Sequence, residues 1–152
     1  MENIHKNLKE ELKEAMKEKN KVKVSVIRDL LTAFTNKAVE TGEKAHSILD
    51  DEAALGVIKK KAKQRKDSIE SFKEGDRDDL VKKEQAELEV IEEYLPEQLS
   101  DDEVEKIIDE VIKETGAEDM SEMGQVMSKV MDKVGAQAEG GKVSDIVKQK
   151  LQ

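Results

Sequence analysis

In IHKNLKEELKEAMK, Ile4, Leu8, Leu12 and Met16 recur every four residues with Glu and Lys between them, the pattern of one narrow apolar stripe on a helix. The next segment, VSVIRDLLTAFTNKAVE, places Val26, Ile27, Leu30, Leu31, Phe34 and Ala38 at helical spacing. It is the most apolar helix of the N-terminal half and the expected centre of a first core. TGEKAHSILD reads as a connection, with Gly42 suited to a helix end and Asp50 to the next N-cap. A third helix is expected from about Asp51 to Lys73, burying Leu55, Ile58, Ala62, Ile69 and Phe72 and stopping at Gly75. Asp76, Asp78 and Asp79 crowd the start of a fourth, where unpaired N–H groups favour carboxylates; Leu80, Val81, Leu88, Ile91 and Leu95 form its apolar face.

The only proline, Pro96, interrupts this helical run. Lacking a backbone N–H and forcing its predecessor toward extended geometry, it should end the fourth helix by about Leu95. Ser100 and Glu103 then have the spacing of a capping box, and Leu99 and Val104 that of a hydrophobic staple. Beyond the break, Val104, Ile107, Ile108, Val111 and Ile112 mark a fifth helix ending at Gly116. Met123, Val126, Met127, Val130, Met131 and Val134 mark a sixth, and Val143, Ile146, Val147 and Leu151 a seventh. The expected fold is all-α: two small helical subdomains, about four helices in residues 1–95 and about three in 96–152, joined near Pro96.

Composition narrows the function. Charged residues make up 41% of the 152 and aromatics 2%, which suits helices and leaves few rings to stack on bases. The net charge is -9, with -3 on residues 1–99 and -6 on residues 100–152, so non-specific attraction to nucleic acid is disfavoured without a local basic patch. With no Cys, disulfides, thiolate chemistry and thiolate metal sites are excluded. No stretch has the apolar length of a signal peptide or a membrane span, and a cytoplasmic location is the default expectation.

One such basic patch is KKKAKQRK, where Lys59, Lys60, Lys61, Lys63, Arg65 and Lys66 crowd into two turns. They form either a phosphate-contacting stripe or a solvated face answered by acids such as Asp67 and Glu70. The methionines Met120, Met123, Met127 and Met131 fill a core or line an adaptable partner groove. Gly124 beside them allows close approach of another backbone. Lys129, Lys133, Gly140 and Lys142 complete the candidate nucleic-acid-binding set. Enzyme signatures are missing: EGGKVS lacks the Gly and the Ser or Thr of a phosphate loop, no G-x-S-x-G elbow exists, and GDRDDL is not a calcium loop. His5 and His46 are isolated and expected at the surface; no catalytic residue, cofactor or metal is assigned.

Three segments carry a resemblance: KQRKDSIESF; RDDLVKKEQAELEVIEEYLPEQLSDDEVEKIIDEVIKETGA; and MGQVMSKVMDKVGAQAEGGKVSDIVKQKL. Together they resemble the YqeY-like family of small bacterial proteins, itself similar to the C-terminal tail region of the B subunit of the aspartyl/glutamyl-tRNA amidotransferase. The resemblance implies two helical subdomains and a part in positioning tRNA, amide transfer taking place elsewhere. The associated label, carbon-nitrogen ligase activity with glutamine as amido-N-donor, comes by resemblance only. This chain departs from the family at GAQAEGG, where Gln137 stands at a usually basic position and Glu139 replaces Asp. The expected function is therefore a non-catalytic accessory module binding tRNA or a tRNA-containing complex. The alternative is a protein-interaction module presenting an apolar helix stripe. No membrane contact is expected and no small-molecule substrate is identified; the oligomeric state is left open, with a monomer favoured.

Overall fold

A computed structural model describes residues 3–152, and among them the regular structure is helical. Seven α-helices follow in order: α1 (Ile4–Lys17), α2 (Lys21–Glu40), α3 (Asp51–Glu74), α4 (Asp78–Glu92), α5 (Asp101–Thr115), α6 (Met123–Val134) and α7 (Gly140–Leu151). Short 3-10 turns occupy Met120–Glu122 and Gly135–Gln137. The chain divides into two compact units, Met1–Leu95 and Pro96–Gln152.

In the first unit α2 touches α1, α3 and α4. Val26, Ile27, Leu30, Phe34 and Ala38 are all buried along it, as its apolar pattern requires. Asp50 caps α3, its carboxylate accepting from the Ala53 N–H at 2.8 Å. The connection before it and the first residue of α3 are tied to the start of α1 by three hydrogen bonds. The Asn3 amide donates to the Leu49 carbonyl at 2.9 Å, the Leu49 N–H to His5 Nδ1 at 3.0 Å, and the Ile4 N–H to Asp51 Oδ1 at 2.9 Å.

Two expectations for α1 are corrected. Met16 is 51% exposed, and Ala15 is buried in its place. Each four-residue step overshoots a full turn by about 40°, so a strict i+4 series drifts off the buried face by its fourth member. His5 is buried, not at the surface; it lies three residues before Leu8 on the buried face, with its ring 5.0 Å from Phe34. His46 is exposed.

Around Pro96, α4 ends at Glu92 and tightens through three i→i−3 bonds from Glu93, Tyr94 and Leu95, a proline-imposed exit from helical geometry. Tyr94 docks near α1, where its hydroxyl and Glu11 Oε2 are buried short of hydrogen-bond geometry. Burial, then the Glu11 carboxylate, raises the phenol well above its ordinary value. The α5 capping box is complete: the Glu103 N–H donates to Ser100 Oγ at 3.2 Å, and the Ser100 N–H to Glu103 Oε2 at 2.8 Å. Gly116 closes the helix at φ 69°, a left-handed cap that side chains resist.

The second unit buries Val104, Ile108 and Val111 of α5, Val126, Val130 and Val134 of α6, and Val143, Val147 and Leu151 of α7. Leu99, the staple residue, packs against that core. The Leu99 N–H donates to the Gln137 carbonyl at 2.8 Å, and the Gln98 amide to the Ala136 carbonyl at 3.0 Å. These bonds hold the segment after Pro96 against the turn between α6 and α7, so two stretches that carry the family resemblance meet in space.

Two predictions follow from these contacts. Ser100→Ala should lower stability by about 0.5–2 kcal/mol in chemical denaturation, the usual loss of a side-chain cap. The second concerns pH. Burial, and after it the Lys9 charge, hold the His5 imidazole below its ordinary value of 6.5, so the unfolded chain takes up this proton at higher pH than the folded one. Stability from His5 is therefore complete above pH 6.5 and declines as the pH falls. The urea midpoint should drop as the pH falls below 6.5, His5→Gln should flatten that slope, and His46→Gln should leave it unchanged.

Candidate nucleic-acid interface

The basic run lies on α3, and most of its charge is answered from within. Lys61 meets Asp29 of α2 at 3.3 Å. Lys63 meets Asp67 one turn on at 3.7 Å, with both side chains mostly exposed. Arg65 is the most engaged: its side chain is 16% exposed, and its guanidinium contacts Asp29 of α2 at 3.4 Å, Glu84 of α4 at 3.0 Å, and Glu87 of α4. Its Nε is buried without a hydrogen-bond partner. Glu87 is itself buried and Glu84 half-buried, while the Asp29 side chain stays 38% exposed, so Arg65 and its acids form one charge cluster that joins three helices and is desolvated on its α4 side. Lys59 and Lys66 are half-buried, and Lys60 is exposed.

Sequence reasoning missed this cluster because its members come from three helices. A signal was nevertheless present: Glu84 and Glu87 interrupt the α4 face defined by Val81, Leu88 and Ile91, and a carboxylate on a buried face requires a partner.

Beside the run, an open groove of about 700 Å³ lies between α2 and α3. Lys37, Lys60 and Lys61 line it, and so do Glu40, Asp50 and Glu52. A polyanion entering there meets as many carboxylates as cations, and the local potential is close to balanced.

In the second unit the candidate cations diverge. Lys133 pairs with Glu114 of α5 at 3.1 Å, and Lys142 of α7 contacts Asp101 of α5. Lys129 is exposed on α6. Gly124, in the first turn of α6, is exposed, and a methyl group added to it would meet nothing within 4 Å. Gly140 opens α7 with only the end of Met131 at 4.0 Å. Met123, Met127 and Met131 pack against the valine core, while Met120 is 39% exposed; the methionine stripe thus borders the interior more than it offers a groove. The unusual Gln137 is engaged through its carbonyl with Leu99. Among the described residues no group of three or more His, Cys, Asp or Glu is placed to hold a metal ion.

The family profile described as Yqey-like protein matches residues 5–151. The chain belongs to the YqeY-like family. Similar curated proteins include several named "Altered inheritance of mitochondria protein 41, mitochondrial". That of Lachancea thermotolerans is 36% identical over 59% of this chain and 46% of its own length. Those of Saccharomyces cerevisiae and Eremothecium gossypii are 37% and 39% identical, over 50% and 48% of this chain and 40% and 38% of theirs. This YqeY-like chain therefore spans less than half the length of these relatives. Their names correct the expectation of a cytoplasmic location. Among the described residues no helix is long and apolar enough to cross a membrane, but the lack of a span does not specify a compartment.

Because Glu87 is buried and Glu84 half-buried beside Arg65, removing the guanidinium leaves these two carboxylates facing one another without a cation. Arg65→Ala should cost about 3 kcal/mol in urea denaturation, the lower end for a broken buried pair because some solvent reaches the cluster. Arg65→Lys should recover only part of this, having no fork to divide among three acids. Lys60→Ala should stay within about 0.5 kcal/mol of the parent.

Proposed function

We propose that this YqeY-like chain is a non-catalytic accessory module that engages tRNA or a complex containing it. The reading is supported by the resemblance of its YLPEQLS and MGQVM segments to the tRNA-positioning tail of the amidotransferase. The observation that carries it further is the outer face of α6, where Gly124, Ser128 and Lys129 are exposed together.

A helical glycine costs about 0.5–1 kcal/mol relative to alanine, and internal packing does not demand one at Gly124, whose missing side chain faces open space. A backbone arriving from outside would use that space. Ser128 offers a hydroxyl to a 2′-OH or phosphate one turn on, and Lys129 a cation. With few aromatic rings, recognition would rest on backbone shape, not on base stacking. The charge of -6 on residues 100–152 works against the approach of RNA, so binding must rest on local cation–phosphate contacts, whose counterion release makes it weaken as salt rises.

A gel-shift titration with bulk tRNA at low and at physiological salt tests the reading. Retardation at low salt that weakens as salt rises is expected; none even at low salt counts decisively against it. Gly124→Leu should weaken binding about tenfold, or 1.4 kcal/mol, with helix content and thermal midpoint unchanged or higher, since leucine favours the helix. Equal binding by that variant would remove the α6 face from the proposal.

A further inference from the structure

The connection between α1 and α2 is three residues long, Glu18 to Asn20, and beside it lies a second open groove of about 590 Å³. Met16 and Val24 give it apolar lining, and Lys19, Lys21 and Arg28 supply cations together with Ser25; no carboxylate lines it. Among the described residues, the ion pairs of this unit engage other cations and not these three. On a chain of charge -9, this is a local positive spot around an apolar floor.

Exposure points the same way. Met16 is 51% and Val22 40% exposed, two large apolar side chains left in water at the same corner. Lys19 adopts φ 59°, a left-handed geometry more readily taken by Gly or Asn, so a cation stands at the corner despite the backbone cost. The first turn of α2 carries Lys21 and Lys23 and no acid, whereas the positive end of a helix favours carboxylates. Both the side chains and the helix end are therefore short of negative charge.

We infer that this corner is a docking groove for an acidic amphipathic helix of a partner protein. Lys21, Ser25 and Arg28 stand at i, i+4 and i+7 along α2, a span of about 10 Å, and carboxylates at the same spacing on an incoming helix would meet them. Its apolar face would cover Met16 and Val24, as in helix-in-groove recognition. A phosphate backbone would satisfy the cations but leave the thioether and valine without a use, which is why a protein occupant is favoured over RNA. The inference is independent of the α6 face and of whether tRNA binds there.

The test uses the full chain and a labelled synthetic peptide of roughly 20 residues, about 30 Å of helix, with leucines at i, i+3, i+4 and i+7 and glutamates elsewhere. The comparison probes are a peptide of identical composition with leucines dispersed around the helix, and a single-stranded RNA of similar charge. Fluorescence anisotropy reports affinity, and the Met16 methyl resonance, assigned through Met16→Leu, reports location. The amphipathic peptide should bind at least about tenfold more tightly than the dispersed one and shift the Met16 signal. Lys21→Glu with Arg28→Glu should reduce that affinity about tenfold or more while the thermal midpoint stays the same or rises, because an acid now stands in the first turn of α2. Equal binding of the two peptides, no binding, an unmoved Met16 signal, or indifference to the charge reversal would overturn the inference. So would RNA shifting Met16 as effectively as the peptide, which would assign the groove to phosphate.

Discussion

Removing a guanidinium from water costs several kcal/mol unless carboxylates meet it in good geometry, and in the first unit Arg65 is met by Asp29, Glu84 and Glu87. Those acids come from α2 and α4, so satisfying one side chain of α3 constrains the placement of three helices at once. The apolar contacts of α2 lie at the centre of the first core, but they are non-directional. The charge cluster adds direction, because the planar fork of arginine accepts few arrangements of its partners.

The same cluster changes how the charge of the protein is read. KKKAKQRK is the densest basic run in the chain, and as a linear string it resembles a phosphate stripe. Folded, Arg65 and Lys61 turn toward acids of neighbouring helices, and the groove beside Lys60 balances cations with carboxylates. Recognition is thus better sought where internal packing leaves a need unmet: at the open glycine of α6, and at the α1–α2 corner, where cations and apolar side chains stand exposed together. The accessory role proposed for this chain would use surfaces of this kind.

How far the chain discloses its structure depends on the range of each interaction. Local rules reach the helices, the Asp50 cap, the Ser100–Glu103 box and the stop before Pro96, since each is decided within four residues. Periodicity fails where a small angular error accumulates, as at Met16, whose burial passes to Ala15. It also misplaces His5, where polarity suggests the surface although the helical phase puts the ring against Phe34. Partners of Arg65 separated by 19 to 36 positions lie outside any local rule, and only the acids on the inner face of α4 hint at them. Cellular address follows from neither composition nor helical pattern; the cytoplasmic expectation yielded to the names of the relatives.

The most direct measurement of the central claim is a double-mutant cycle between Arg65→Ala and Glu87→Gln, followed by urea denaturation with circular dichroism. If the guanidinium organises the first unit through its acids, the two changes couple by about 1.5 kcal/mol or more, as residues of one buried charge network do. Additive losses, with coupling below about 0.5 kcal/mol, would contradict the claim that the Arg65 guanidinium organises the first unit through its acids.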